Sequence, residues 1–191
     1  MVRPEAGRFR GRGHPAAAPF IAERVLAIGP MPLPRQGGIV AHPHFLRMKA
    51  IRIHSFGGSD VLSLEDVPAP RPGDDEVLIK VQAASVNPVD YKMRSGKFRP
   101  DELHPPLTLG RDVAGIVAEV GRRVQGIRPG DRVYAMLGRH SGGYAEFALA
   151  KAEETAAKPA TLDPAHAAAV PLAAITAWQG LFDHGRLGPG E

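Results

Sequence analysis

The stretch EVLIKVQAASVNPVDYKMRSG, residues 76–96, decides how the fold is read. From Glu76 to Val86 it sets Val77, Ile79 and Val81 against Leu78, Lys80 and Gln82, the period-two pattern of a strand with one face turned inward. The pattern breaks at Asn87-Pro88. Asparagine suits a helix N-cap and proline the first helical position, so NPVDYKMRSG predicts a short helix directly after the strand.

Upstream, MKAIRIH begins at Met48 and alternates as a half-buried strand does; FGGSD is a turn and VLSLEDV a second strand. PAPRPGDDE connects this to Glu76 with a turn at Pro72-Gly73. Downstream, RDVAGIVAEVG (Arg111 to Gly121) predicts a strand whose central glycine marks a bulge or a close backbone approach. RPGDRVYAM turns into another strand, and GGYAEFALA (Gly142 to Ala150) is a further one. Short strands parted by Gly/Pro turns predict a mainly β fold, a curled antiparallel sheet or partly open barrel. The alanine-rich run from Asp163 to about His184 predicts helix, with Asp163 as N-cap, a break or kink at Pro171, and a stop at Gly185 or Gly188. Gly110, Gly115, Gly121 and Gly130 read as structural.

Composition narrows the chemistry. The 191 residues contain 22 Gly, 19 Pro and no Cys, which excludes disulfides, Cys-ligated zinc, iron–sulfur clusters and thiol catalysis. No apolar run approaches the roughly 18 residues of a membrane span, and a cytoplasmic location is expected. Residues 1–47 hold seven Arg and two Glu, a net +5, so of the chain's net +4 the remainder carries −1. This leader also holds seven prolines and no serine, and it lacks the apolar surface to offset its ordering entropy, so disorder is expected. Met48 reads as the start of the folded body.

Five ordered motifs, DEVLIKVQAASVNPVDYKMRSG, PLTLGRDVAGIVAEVG, VQGIRPGDRVYA, GGYAEF and AAVPLAAITAWQGL, resemble the medium-chain dehydrogenase/reductase superfamily in its zinc-independent quinone oxidoreductase and enone reductase branch. The resemblance covers Met48 to Glu191. It implies a GroES-like barrel over 48–162 as the substrate-side domain, and a helical junction over 163–191. The junction would lead into a Rossmann domain that this sequence does not contain: there is no G-x-G-x-x-G and no βαβ unit. The Gly-Pro-Gly turn before Glu191 reads as the approach to that next element.

Zinc-dependent relatives place Cys where this chain has Asn87 and His-Glu where it has Arg111-Asp112. Asparagine is a poor zinc ligand and arginine none, so no metal site is expected. The resemblance implies hydride transfer from NADPH or NADH to a quinone or an α,β-unsaturated carbonyl. Lys92 is the implied catalytic residue, with Asn87, Lys92 and Thr176 against the cofactor and Tyr91, Met136, Leu137 and Tyr144 framing the substrate. Each has a plainer reading: Asn87 as a cap that leaves its amide free, Lys92 as a solvated lysine, Thr176 as a helix cap or kink, and the other four as core. The partner is a small molecule, and the family allows a homodimer of the full-length protein. Without the nucleotide-binding half, the chain by itself is expected to be inactive. The alternative is a non-enzymatic GroES-like binding module, with the Arg-rich leader contacting nucleic acid.

Overall fold

The computed structural model describes residues 47–100 and 103–188; the disorder expected of the leader concerns residues outside these, except for Arg47. Nine residues of the quoted stretch form the centre of the molecule. Strand β3 (Glu76–Ala84) lies between β5 (Asp112–Val120) and β7 (Phe147–Lys151) in an antiparallel sheet of order β7-β3-β5-β6-β8, where β6 is Arg132–Met136 and β8 is Thr155–Ala157. A second sheet of order β2-β1-β4 joins Leu62–Val67, Met48–Ile53 and Leu107–Thr108.

The two sheets are stitched at one corner. Ile51 N donates to Tyr144 O at 2.7 Å and Glu146 N to Lys49 O at 3.0 Å, while Val81 N donates to Glu146 O at 2.9 Å. The segment Tyr144 to Glu146 therefore passes from β1 to β3, closing the sheets into a partly open barrel. This corrects the strand expected from Gly142 to Ala150: the ladder with β3 begins only at Phe147, because the preceding residues pair with the other sheet.

Burial explains a detail that the alternation missed. Val77 and Ile79 enter the main core with Val113, Val117, Val133 and Leu137, whereas Leu78, on the opposite face, packs with Met48, Ala50 and Phe147. Both faces of β3 are thus covered over its first half, and in its second half Lys80, Gln82 and Ala84 reach solvent. Gly115 is the close approach expected: a Cβ there would stand 2.1 Å from Lys80 O, at the place where the β3–β5 register shifts between Val81 and Ala83. The two-residue β4 and three-residue β8 are too short for periodicity to reveal.

Helix α1 (Pro88–Arg94) follows β3 as expected and buries Asp90 and Met93. The alanine-rich region divides at Val170-Pro171 into α2 (Pro164–Ala168) and α3 (Pro171–Trp178), and continues as a π-helical turn over Gln179–His184. Asp163 caps α2, its Oδ1 accepting from His166 N at 2.8 Å. Ala167 and Ala168 of α2 press on Ala114 of β5, whereas α3 buries only Pro171.

Candidate active site

Two carboxylates inside the barrel wall organise the region that the sequence singled out. Asp112, the first residue of β5, has no exposed surface. Its Oδ2 accepts from Asn87 Nδ2 at 2.9 Å and from Ser85 Oγ at 3.0 Å, and its Oδ1 accepts from Leu172 N at 3.1 Å. The last bond matters because Leu172 lies in the first turn of α3, where backbone N–H groups lack partners within the helix. A carboxylate on a strand thereby caps a helix sixty residues later in the chain. Burial raises the Asp112 carboxyl above its ordinary value, and the bonds from Asn87, Ser85 and Leu172 pull against that shift.

The second carboxylate, Asp90, sits in the first turn of α1 and is also buried. It accepts from Asn87 N at 2.7 Å and from Gly110 N at 3.2 Å. Gly110 has φ +99°, and a Cβ on it would strike the Tyr144 ring at 2.6 Å, so only glycine turns the chain here. Burial raises the Asp90 carboxyl as well. The hydroxyl of Tyr144, buried beside Asp90, makes no hydrogen bond of good geometry. Its own burial and then the neighbouring Asp90 charge hold the phenol far above its usual value.

Asn87 is held from both sides: its backbone N–H goes to Asp90, and its side-chain amide to Asp112 and to Ser85 Oγ at 2.9 Å. The expectation that capping would leave this amide free is not met. Both amide hydrogens have acceptors, and the side-chain oxygen, which faces the Asp90 N–H in a capping box, keeps a further lone pair for a ligand.

The remaining predicted residues divide. Met136 stands opposite Asp112 on β6 and is half-buried. Thr176 lies one turn beyond Leu172 on α3, with an exposed side chain. Tyr91 and Lys92 project from the exposed side of α1, and among the described residues no hydrogen bond or ion pair ties their side chains to the Asn87–Asp112 cluster. Leu137 is fully enclosed in the main core, and Tyr144 packs its ring against the cluster of Ile53, Met93, Leu103 and Leu109. The cluster thus joins Asn87 to the helix that carries Thr176, while Lys92 stands apart from it.

Sequence reading missed Ser85 and Asp90, and it weighed Asp112 only as a zinc ligand. The signal was present: an aspartate heading the apolar run DVAGIVAEV needs a partner once the strand is buried.

The donor set bears on metals and cofactors alike. Among the described residues no three His, Asp or Glu side chains stand together, and both Asp112 oxygens already accept hydrogen bonds. The buried Nε of Arg111, beside Asp112, adds positive charge where a cation would need ligands. For a dinucleotide the fit is partial. A pyrophosphate seeks a free helix N-terminus, but among the described residues the first turn of α3 is met by Asp112 and that of α2 by Asp163.

Comparison with known proteins supplies the setting. Residues 73–160 match the family model of the alcohol dehydrogenase GroES-like domain. A quinone oxidoreductase of Rattus norvegicus is 46% identical over 146 residues, covering 75% of this chain and 44% of that protein. A 2-methylene-furan-3-one reductase of Solanum lycopersicum is 42% identical over 142 residues, covering 70% and 37%. Among solved structures, the quinone oxidoreductase of Coxiella burnetii superimposes with a TM-score of 0.69 at 37% identity, covering 76% of this chain and 47% of that one. That of Escherichia coli, complexed with NADPH, gives 0.65 at 32% identity, covering 70% and 40%. The chain spans less than half the length of these relatives.

Proposed function

Since this chain carries the GroES-like domain of the medium-chain dehydrogenase/reductase superfamily, in its quinone oxidoreductase and enone reductase branch, we propose that it forms the substrate-side half of an NAD(P)H-dependent reductase. The reductase passes hydride to a quinone or an α,β-unsaturated carbonyl without a metal. The observation that supports this reading is the closed hydrogen-bond cluster at Asp112, whose two oxygens already accept from Asn87, Ser85 and Leu172, at positions where the resemblance sets zinc ligands in metal-dependent relatives.

The nicotinamide cofactor supplies the hydride and binds mainly through a domain outside these 191 residues. On this side the Asn87 oxygen accepts from the carboxamide, and the Thr176 hydroxyl reaches the same end of the cofactor from α3. Asp112 positions both, because it holds the Asn87 amide and the first turn of α3 at once. Lys92 donates to the oxygen on which negative charge gathers as an acceptor takes hydride at carbon, a role that needs a donor and no Lewis acid. Tyr91 and Met136 flank the acceptor, with the Tyr144 ring behind them.

The test joins residues 48–188 to the nucleotide-binding domain of a quinone oxidoreductase and follows NADPH absorbance with a benzoquinone and with an alkyl enone. Acceptor-dependent oxidation is expected, reduced about a hundredfold by Lys92→Met if the lysine stabilises the developing oxyanion. Calorimetry on the 191-residue chain should show no NADPH binding. An inactive but folded fusion, or tight NADPH binding by the short chain, contradicts the proposal.

A further inference from the structure

Apart from the Asp112 cluster, the structure contains a larger cavity of about 390 Å³ whose walls come from both sheets and from the loop between β6 and β7. Arg52 of β1, His104 from the segment before β4, and Arg139 and His140 of the loop all line it, and among the described residues no Asp or Glu does. That is a concentration of basic groups on a body whose residues 48–191 carry a net −1. The rest of the wall is mixed, with the largely buried Met48, Leu103 and Phe147 among its apolar side chains and Thr108 and Ser141 among its polar ones.

Arg52 is held by the fold. Arg52 Nη2 donates to Pro106 O at 3.2 Å while Nη1 lies 3.8 Å from Glu65, and only 24% of its side chain is exposed. The Arg139–His140 loop is pinned immediately afterwards. Ser141 Oγ donates to Leu149 O at 2.6 Å, and Gly142 lies so near β4 that a Cβ would stand 2.2 Å from Thr108 O. Glu76 and Glu154 line a neighbouring cleft of about 290 Å³ that shares Arg139 and His140, and the Glu76 carboxylate already accepts from Gly73 N. Guanidinium groups arranged about a partly apolar hollow favour a ligand with a carboxylate at one end and an apolar body at the other.

We propose that this cavity binds a small organic carboxylate with an apolar body, its anion between Arg52 and Arg139 and its body against Met48, Leu103 and Phe147. The site does not depend on the reductase reading: its lining includes none of Asn87, Lys92 or Thr176.

The experiment titrates the 191-residue chain with 2-naphthoate and, separately, with the neutral 2-naphthamide, following backbone amide shifts by NMR at neutral pH. Saturable binding of the acid is expected, with shifts centred on residues 139–142 and 103–108, and none for the amide. Arg139→Gln should weaken binding about tenfold, the loss of one charge-assisted hydrogen bond. Arg52→Gln, at the other end of the proposed anion site, should do the same. Circular dichroism establishes that both variants fold. Equal affinity for the amide, equal affinity for inorganic phosphate, or no loss in either folded variant overturns the proposal.

Discussion

Strand β3 and helix α3 are comparably rich in apolar residues, yet they are stabilised by opposite means. In β3, Val77, Leu78 and Ile79 are at most 4% exposed, because neighbouring strands and two separate clusters cover both faces. In α3 and the turn after it, Ile175, Trp178, Leu181 and Phe182 are 38 to 61% exposed. The helix is fastened at its start, by buried Pro171 and the Leu172–Asp112 bond, and beyond that Trp178 and Phe182 mainly meet each other, ring centroids 4.6 Å apart. Apolar content stabilises only where it leaves water. The contrast therefore predicts a steep gradient of sensitivity to substitution from the barrel to the tail.

The steepest point is Gly115. Its missing side chain lets β5 approach the backbone of β3, and alanine would meet Lys80 O, a backbone atom that cannot swing aside. Gly115→Ala should cost about 4 kcal/mol or prevent folding, as overpacking against backbone does. Next is Ile79→Ala, which removes a fully buried side chain from the main core and should cost about 3 kcal/mol in urea unfolding. If either were neutral, the barrel would not be the rigid member of the pair.

Asp112 lies where the two regions meet, and its substitution tests the join. Asp112→Ala leaves the Asn87 amide, the Ser85 hydroxyl and the Leu172 N–H without their acceptor, at a cost of about 2 kcal/mol. Asp112→Asn carries a distinct pH signature. Burial raises the native carboxyl above 3.8, so its contribution is most favourable below that value and is lost as pH rises through the native pKa. Asparagine cannot ionise, so the stability of wild type relative to Asp112→Asn should fall as pH is raised from acid toward neutrality. Urea melts across that range check the sign; a difference independent of pH would mean that the carboxyl is not displaced by burial.

The same comparison explains what could be read from sequence. The order of the major strands, the helix at Asn87-Pro88 and the break at Pro171 were all legible, because period-two alternation, capping and proline act locally. The start of β7 was misplaced because Tyr144 to Glu146 exchange one sheet for the other, a choice made by partners far away in the chain. The site was legible in part. Asn87 was singled out, but its amide was expected to stay free, and Ser85 and Asp90 went unnoticed. What ties them together is one carboxylate reaching a helix sixty positions on, which no spacing reveals.

The smallest effects should lie in the tail, and they distinguish an element held at one end from one packed along its length. Leu181→Ser removes an apolar side chain that is already half-exposed, so unfolding free energy should change by about 0.5 kcal/mol or less, the usual range for surface sites. Hydrogen exchange gives the sharper reading. The Leu172 amide, bound to Asp112, should be protected more than the amides of Gln179–His184, and those amides should exchange faster than Val113 and Val117 of β5. In Asp112→Ala, protection should fall at Leu172 and through α3 while the β5 amides keep theirs relative to the global rate. Equal protection of tail and barrel in the wild-type chain would show that the exposed apolar face does not govern how firmly the helix is held.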